Sequence, residues 1–194
     1  MREEDNYSLV GGVVGTSRDR KVEKSNFKEA PAEKHFRCKA AQENLMEAII
    51  FVGIQGSGKS TFFRRRFSST HICLSLDMLR TRHREDLLLD ACITAKQKFV
   101  IDNTNLTRED RLRYINRARA GRFKVSGYYF RAEVKAAIER NAARIGKARI
   151  PEKGILGAYK RLQLPSLDEG FDELFYVRID ESDEFVVENW INEV

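Results

Sequence analysis

The chain of 194 residues carries 35 lysines and arginines, 29 aspartates and glutamates, a formal net charge of +6 and 42% hydrophobic residues. This length and apolar content suffice for one domain around a single core, which excludes a chain disordered throughout, and three cysteines without metal-ligand spacing argue against a disulfide framework or a zinc site. We expect a cytoplasmic protein without membrane contact, because no apolar run is long enough to cross a bilayer, and the positive charge favours a polyanionic partner such as nucleic acid.

The first 44 residues differ in pattern from the rest of the chain. They mix charged residues with glycines and show no sustained helical or strand period. Such a composition is typical of a flexible or partly helical extension. The sequence therefore predicts an extension over residues 1–44 and a folded domain over residues 45–194.

Strand and helix patterns alternate through the predicted domain. The predicted elements are strands at 48–52, 72–76, 98–102 and 123–130, helices at 59–67, 84–96, 107–120 and 132–144, and late strands at 174–179 and 184–187. This alternation predicts an α/β fold with a parallel sheet covered by helices on both faces. Ligands of such sheets bind at the carboxyl ends of the strands, so the polar residues after each strand are the candidate site residues.

The first strand leads directly into a glycine-rich loop. Residues Gly53–Ser60 read Gly-Ile-Gln-Gly-Ser-Gly-Lys-Ser and match the phosphate-binding pattern G-x-x-x-x-G-K-[ST]. In this motif the backbone N–H groups curl around phosphate oxygens, and the positive end of the following helix dipole points at the anion. The motif predicts that Lys59 reaches the β/γ-phosphates of ATP and that the Ser60 hydroxyl binds Mg²⁺. The nucleotide-binding residues predicted in the loop are Gly53, Gln55, Gly56, Ser57, Gly58, Lys59, Ser60 and Thr61.

A cluster of polar residues follows the predicted strand at 98–102. The strand ends in Asp102, and Asn-Thr-Asn follows over 103–105. A carboxylate at this place beside a phosphate loop can hold the Mg²⁺ shell, so Asp102 is the second predicted metal ligand. Helix capping accounts for some of these polar residues, since Thr107 begins a T-x-x-D pattern. We expect at least one of Asp102, Asn103 and Asn105 to serve the site.

Asp77 and Arg80 follow the short second strand. Their spacing of three residues on a starting helix predicts that both side chains lie on one face. The carboxylate could accept the proton of an attacking hydroxyl, and the guanidinium could bind a phosphate. An N-terminal capping aspartate with an i,i+3 ion pair produces the same pattern, and the residues alone leave both interpretations open.

Arg140 and Arg144 lie one turn apart on the predicted helix at 132–144. An arginine supplied from a mobile lid can stabilise the charge that builds on the γ-phosphoryl oxygens during transfer. A solvated basic face with Glu133 and Glu139 as partners is the alternative.

Together these motifs resemble the kinase domain of the polynucleotide 5′-hydroxyl kinase family over roughly residues 48–175. The parts that carry the resemblance are Gly53–Phe62, Asp77–Arg80, Val100–Asn105, Glu139–Arg144 and Ile150–Phe171. The resemblance implies a P-loop NTPase fold with an arginine-bearing helical lid. It also implies ATP-dependent transfer of the γ-phosphate to the 5′-hydroxyl end of DNA or RNA, with Mg²⁺ as cofactor.

The resemblance further assigns roles to individual residues. It implies that the catalytic residues are Lys59, Asp77, Arg80 and Arg144. Asp77 matches the general base that activates the 5′-hydroxyl, and Arg80 matches the arginine that binds the phosphate at the site of transfer. Arg140 and Arg144 match the lid over ATP, with Arg144 the better candidate for the γ-phosphate.

Two other functions share the phosphate loop. One is a P-loop kinase of metabolites, sugars or antibiotics, and the other is a non-catalytic ATP-binding regulatory module. The basic stretch from Arg108 to Lys124 favours nucleic acid over a small acceptor. A solvated basic helix is the alternative, so this preference depends on whether those side chains face the cleft around Asp77.

Overall fold

A computed structural model describes residues 46–131, 133–146 and 149–191 of the protein. The extension predicted over residues 1–44 lies outside these residues. In the part of the chain that is described, no helix combines the length and the apolar character needed to cross a bilayer.

Parallel strands form the centre of the fold. They are β1 (Glu47–Val52), β2 (Ile72–Leu74), β3 (Phe99–Ile101), β4 (Lys124–Phe130), β5 (Glu173–Ile179) and β6 (Phe185–Asn189). In the described residues they make one sheet in the order β2-β3-β1-β4-β5-β6, in which β1 to β5 pair in parallel and β6 is antiparallel to β5. The apolar strands β1 and β3 lie inside the sheet, as expected of strands covered on both faces. The predicted α/β fold is confirmed.

The helices connect these strands. They are α1 (Lys59–Arg66), α2 (Leu76–Leu79), α3 (Arg82–Thr94), α4 (Arg108–Ala120), α5 (Val134–Ala142) and α6 (Glu152–Arg161), with a 3-10 turn at Leu167–Glu169. Thr107 and Asp110 form the expected capping box at the start of α4. The sequence did not predict α2, which has four residues and replaces the predicted end of β2, or α6, in which Gly154 and Gly157 weaken the helical signal.

Two apolar clusters lie on opposite faces of the sheet. On one face Ile50 belongs to a cluster with Leu89 of α3 and Tyr114 of α4, and on the other Phe51 belongs to a cluster with Phe62 of α1. The rings of Phe51 and Phe62 meet edge to face with centroids 5.9 Å apart. Burial of each such side chain stabilises the fold by roughly 1.5–3 kcal/mol. Helices therefore cover both faces, and α1 is anchored to the sheet just after the phosphate loop.

A buried ion pair joins α4 to the chain that follows α6. Arg111 is fully buried, and its Nε and Nη2 donate to the two carboxylate oxygens of Glu169 at 2.6 Å each. Its Nη1 donates to the carbonyl oxygens of Asn105, Leu106 and Gln163 at 3.0–3.2 Å. All three nitrogens of the guanidinium are thus hydrogen-bonded. This pair fixes α4 relative to the loop after β3 and to the 3-10 turn.

Removal of Arg111 tests how much the fold depends on this pair. We expect Arg111→Ala to lower the free energy of unfolding by about 3–5 kcal/mol, because it leaves the Glu169 carboxylate buried without a partner. Arg113→Ala is the matched control on the same helix, since the ion pair between Arg113 and Asp86 is partly exposed, and it should cost less than about 1 kcal/mol. Urea unfolding followed by circular dichroism measures the free energy of unfolding of both variants. Equal losses would contradict the role of the buried pair of Arg111 and Glu169 in holding the fold together.

Candidate active site

The phosphate loop has the backbone that its glycines predict. Gly56 and Gly58 have φ angles of +80° and +98°, a region that other residues rarely adopt. A Cβ atom at Gly56 would lie 2.5 Å from the carbonyl oxygen of Ala137 in α5. Glycine is therefore required at position 56 both by the backbone angle and by the close approach of α5.

Lys59 lies inside this loop and is only 8% exposed. Its ammonium donates to the carbonyl oxygens of Gly53 at 2.8 Å and Ile54 at 2.6 Å and to the Ser57 hydroxyl at 3.3 Å. These contacts match the three N–H donors of a lysine. The loop thus holds a positive charge where the motif predicts the β/γ-phosphates.

The charged groups around the loop influence one another. Burial lowers the pKa of Lys59 to about 8; Asp102 and Asp77 act against this lowering, and Arg144 adds to it. Burial also raises the pKa of Asp102, although a hydrogen bond with the side chain of Ser60 and the charge of Lys59 act in the opposite direction. The five groups therefore form one electrostatic neighbourhood.

A cleft with a volume of about 520 Å³ contains most of the predicted site residues. This volume is within the usual range of small-molecule sites. The predicted residues that line it are Gln55, Gly56, Ser57, Gly58, Lys59, Ser60, Thr61, Asp77, Asp102 and Arg144. Gly53, Arg80 and Arg140 are not among the lining residues. The cleft follows the ends of β1, β2 and β3, where a parallel sheet binds its ligands.

Ser60 and Asp102 fit the predicted Mg²⁺ site. They supply a hydroxyl and a carboxylate oxygen, the hard ligands that Mg²⁺ takes in proteins, and both residues line the cleft. Because burial raises the pKa of Asp102, the charged carboxylate is disfavoured by itself, and a nearby cation would offset that penalty.

The two asparagines after β3 have structural roles. Asn105 is 3% exposed, and its amide nitrogen donates to the carbonyl oxygen of Phe51 at 2.7 Å. Asn103 accepts the backbone N–H of Leu76 at 2.9 Å through its side-chain oxygen. Both residues line the cleft, but their amides hold neighbouring loops in place. Asp102 is therefore the member of this cluster that is suited to the metal.

The structure separates Arg80 from Asp77, against the expectation from their spacing. Asp77 is exposed in the cleft on α2, but this helix ends at Leu79 and Arg80 has a φ angle of +71°. Arg80 is exposed and lies outside the cleft lining. The two residues do not share a helix face, because the helix that the spacing assumed is only four residues long.

Sequence reasoning missed two basic residues that line the cleft, Arg64 and Arg82. Arg82 begins α3, and its Nη1 donates to Glu85 at 2.8 Å and to the Tyr114 hydroxyl at 2.5 Å. Burial opposes the charge of this guanidinium, but the hydrogen bond to Glu85 raises its pKa. The i,i+3 spacing of Arg82 and Glu85 is visible in the sequence as a possible ion pair on one helix turn. It indicates such a pair only when the helix is known to begin at Arg82.

The two arginines that the resemblance assigns to a lid take different positions. Arg140 on α5 donates from Nε to the carbonyl oxygen of Gly56 at 2.7 Å, so it binds the backbone of the phosphate loop. Arg144 lies beyond the end of α5, is exposed and lines the cleft. The turn after α5 is held by Asn141, which donates to and accepts from the backbone of Ile150. Of the two arginines, Arg144 is the one suited to contact a phosphate.

The basic helix α4 is engaged within the domain. Besides Arg111, three further arginines of this helix form ion pairs with carboxylates on α3 and before β5. The pairs are Arg113 with Asp86, Arg117 with Asp86 and Asp90, and Arg119 with Asp172. None of these arginines is among the residues that line the cleft. The stretch 108–124 therefore offers less charge to an outside polyanion than its sequence indicates, and the preference for nucleic acid that rested on it is weakened.

Comparison with known protein families finds one match. The family model described as an AAA domain matches residues 49–165, which is more than half of the chain. The bifunctional polynucleotide phosphatase/kinase of Schizosaccharomyces pombe is 28% identical over 144 residues, which cover 71% of this chain and 34% of that protein. The chain thus spans about a third of the length of this curated relative.

Solved structures with a similar fold include kinases. A gluconokinase from Sinorhizobium meliloti 1021 is 17% identical with a TM-score of 0.52, covering 71% of this chain and 85% of that one. Chaetomium thermophilum Kti12 in complex with ADP-AlF3 is 18% identical with a TM-score of 0.52, covering 70% and 92%. The PezAT toxin-antitoxin system of Streptococcus pneumoniae is 14% identical with a TM-score of 0.55, covering 86% of each chain. At these identities the likeness shows the fold alone, which agrees with the predicted P-loop NTPase fold.

The contact between Gly56 and α5 can be tested directly. We expect Gly56→Ala to weaken binding of a magnesium–ATP analogue and to lower stability by about 1–3 kcal/mol, because the new methyl group meets Ala137 and the positive φ is strained. The matched control is Gly157→Ala on α6, where no atom lies within 4 Å of an added Cβ and stability should stay equal or rise. Calorimetric titration and thermal unfolding measure these effects. Unchanged nucleotide binding by the Gly56 variant would contradict the role of this contact.

Proposed function

We propose that this chain, which belongs to the AAA domain family, is an ATP-dependent kinase that transfers the γ-phosphate to a hydroxyl group, and that the acceptor is the 5′-hydroxyl end of DNA or RNA. The observation that carries the kinase proposal is that one cleft contains Asp77 together with Lys59, Ser60 and Asp102. A nucleotide switch needs the phosphate loop, but it has no use for a carboxylate on the acceptor side.

The donor side of the reaction belongs to the phosphate loop. The phosphates of ATP would lie against its backbone N–H groups and the ammonium of Lys59, which exchanges one of its hydrogen bonds to loop oxygens for a phosphate oxygen. Ser60 and Asp102 would hold Mg²⁺, whose charge would neutralise the phosphates.

On the acceptor side, Asp77 would take the proton of the attacking hydroxyl. The hydroxyl oxygen then forms a bond to the γ-phosphorus while the bond to the leaving ADP oxygen breaks. Arg144 would stabilise the charge on the transferred group from the lid. The N–H of Leu76, beside Asp77, is held by Asn103, so the base is tied to the end of β3.

The choice of a polynucleotide acceptor rests on similarity. The S. pombe relative is by name a polynucleotide phosphatase/kinase, and its 28% identity to this chain extends over 144 residues. The motifs from Gly53 to Phe171 that resemble the polynucleotide 5′-hydroxyl kinase family support the same acceptor. A small-molecule acceptor is the second candidate, favoured by the ion pairs that engage the arginines of α4.

Substitution of the proposed base tests the kinase mechanism. We expect Asp77→Asn to lower kcat by on the order of 10²–10⁴-fold, because the variant cannot accept the hydroxyl proton, while binding of the ATP analogue is retained. Asp90→Asn is the matched control: this carboxylate lies on α3 and pairs with Arg117 outside the cleft, so kcat should be unchanged. Transfer of labelled γ-phosphate to a 5′-hydroxyl oligonucleotide and to a panel of sugars and metabolites is the measurement.

Each outcome of this acceptor screen has a separate meaning. Label on the oligonucleotide that disappears when its 5′ end is already phosphorylated supports the full proposal. Label on a sugar or metabolite alone refutes the polynucleotide acceptor and leaves the kinase. ATP binding without any labelled acceptor, and without an effect of Asp77→Asn, refutes the kinase itself.

We expect substitutions of Arg140 and Arg144 to change different kinetic constants. We expect Arg144→Ala to lower kcat by about 10²–10³-fold with a small change in the KM for ATP, because its contact strengthens as charge builds in the transition state. Arg140→Ala should mainly raise the KM for ATP, since Arg140 holds α5 against the carbonyl of Gly56. Steady-state kinetics with varied ATP distinguishes the two, and the reverse pattern would show that the lid assignments are interchanged.

A further inference from the structure

The side chain of Gln55 carries a buried oxygen without a hydrogen-bond donor. Gln55 is a half-buried residue of the phosphate loop that lines the cleft, and its Oε1 atom has no hydrogen-bond partner among the described residues. His71 holds the other such atom in these residues, but its Nε2 lies 3.5 Å from the carboxylate of Glu47. In the part of the chain that the structure describes, Gln55 thus has the buried polar atom that lacks both a hydrogen bond and a charged partner.

An oxygen of this kind is costly for the free protein. A buried amide oxygen that gives up its hydrogen bonds to water without gaining a donor destabilises the folded state, so buried polar groups are nearly always paired. Exceptions are expected at functional sites, where the missing partner arrives with a ligand or with a movement. A donor for the Gln55 oxygen is therefore expected in the filled cleft.

Few groups of the filled cleft can donate to this oxygen. The phosphate oxygens of a nucleotide are acceptors, and the proposed mechanism gives the proton of the attacking hydroxyl to Asp77. The three N–H donors of Lys59 have partners within the loop at 2.6–3.3 Å. The remaining charged donors are the arginines that line the cleft, which are Arg64, Arg82 and Arg144.

Arg144 is the arginine placed for this contact. Arg64 and Arg82 already donate to side chains on their own helices, α1 and α3. Arg144 is exposed, and its side chain forms no hydrogen bond or ion pair among the described residues. Burial is the main cause of the lowered pKa of Lys59, and Arg144 is the cation that adds to this lowering. The charge of Arg144 therefore already acts on the interior of the loop.

The end of α5 is fixed beside Gln55. Arg140 of this helix donates to the carbonyl oxygen of Gly56, the next residue of the loop, at 2.7 Å. The buried side chain of Asn141 closes the following turn with two hydrogen bonds to the backbone, at 2.7 Å and 2.9 Å. The backbone that carries Arg144 is thus held next to the loop, and the exposed side chain can rotate into the cleft.

On the basis of the proposed kinase function, we propose that Gln55 is a positioning residue: its Oε1 atom accepts a hydrogen bond from the guanidinium of Arg144 when ATP fills the cleft, and this contact aims the remaining N–H groups at the γ-phosphate. A guanidinium has five N–H donors, so one contact with the amide leaves several for phosphoryl oxygens. An amide oxygen also accepts from arginine without the negative charge by which a carboxylate would repel the phosphates. A guanidinium that is already oriented loses less conformational freedom when it binds.

The first test replaces Gln55 by methionine, which is similarly long and flexible but has no amide oxygen. We expect Gln55→Met to lower kcat by about 10- to 100-fold, the effect of losing one hydrogen bond to a charged group, with the KM for ATP within about twofold. Gln97→Met is the matched control. Gln97 is not among the residues that line the cleft, and its side chain donates to the carbonyl oxygen of Lys98, so its constants should match wild type.

A double-mutant cycle separates positioning from an independent role. If Gln55 acts through Arg144, its substitution should have no effect once Arg144 is absent. The double variant Gln55→Met/Arg144→Ala should therefore have the kcat of Arg144→Ala within about twofold. Losses that multiply would show that the two side chains act separately and would overturn the proposal.

A mimic of the transition state makes the test independent of the acceptor. In a complex of ADP, Mg²⁺ and aluminium fluoride, the fluoride stands in for the γ-phosphoryl group during transfer. We expect Gln55→Met to raise the Kd of this complex by about 10- to 100-fold and to leave the Kd of ADP within about twofold in calorimetric titrations. In the background of Arg144→Ala, Gln55→Met should change neither Kd.

The outcomes keep this inference separate from the proposed function. An effect of Gln55→Met on the fluoride complex that needs Arg144, in a protein that labels no acceptor, supports the positioning role and refutes the kinase. Phosphate transfer that is indifferent to Gln55→Met, or an equal loss of affinity for ADP, overturns the positioning role and leaves the kinase.

The stability of the free protein distinguishes positioning from a structural role. Methionine removes an oxygen that has no donor, so the Tm of nucleotide-free Gln55→Met should equal or exceed that of wild type. A lower Tm would show that the oxygen is satisfied in the free protein and would overturn the proposal. Lower activity with undiminished stability is the combination expected of a residue whose partner arrives only in the filled site.

Discussion

The parallel pairing of β1 with strands on both sides is the interaction on which the site depends. β1 pairs with β3 and β4, and its residues Ala48–Val52 are completely buried. Because parallel strands end at the same edge, the phosphate loop after β1 meets the residues after β3. The N–H of Gly53 donates to the carbonyl of Thr104 at 3.0 Å and joins these two loops. This contact places Lys59 and Asp102 in one neighbourhood, so the donor site follows from the order of the strands.

Two buried carboxylates then fix the helices around that edge. A carboxylate removed from water is tolerated only when its oxygens are hydrogen-bonded, so its position is more strictly defined than that of an apolar side chain. Glu169 meets this need through Arg111 of α4, and Glu85 meets it through donors from α3, α4 and the loop after β3. Since α4 supplies both Arg111 and Tyr114, this helix fixes the start of α3 and the chain after α6 together.

The sequence predicted the parts of the fold that depend on local pattern. The order of strands and helices, the phosphate loop and the strand-end Asp102 follow from hydrophobic period and glycine spacing, which act over a few residues. The predictions were wrong where the partner of a charged residue lies far away in the sequence, and where the exact end of a helix decides which residues share a face. The partner of Arg111 is 58 residues away, so the basic character of α4 was overestimated as surface charge. The end of α2 at Leu79 removed Arg80 from the helix face assumed for it.

The positive charge of the cleft depends on which of its basic residues already have a carboxylate partner. Lys59, Arg144 and Arg82 all line the cleft, and Arg82 begins the helix α3 that follows Asp77. Because the charge of Arg82 is balanced by buried Glu85, it contributes directed N–H donors more than a diffuse positive field. Carboxylate partners thus balance the charge of Arg113, Arg117 and Arg119 on α4, and buried Glu85 balances the charge of Arg82, which lines the cleft.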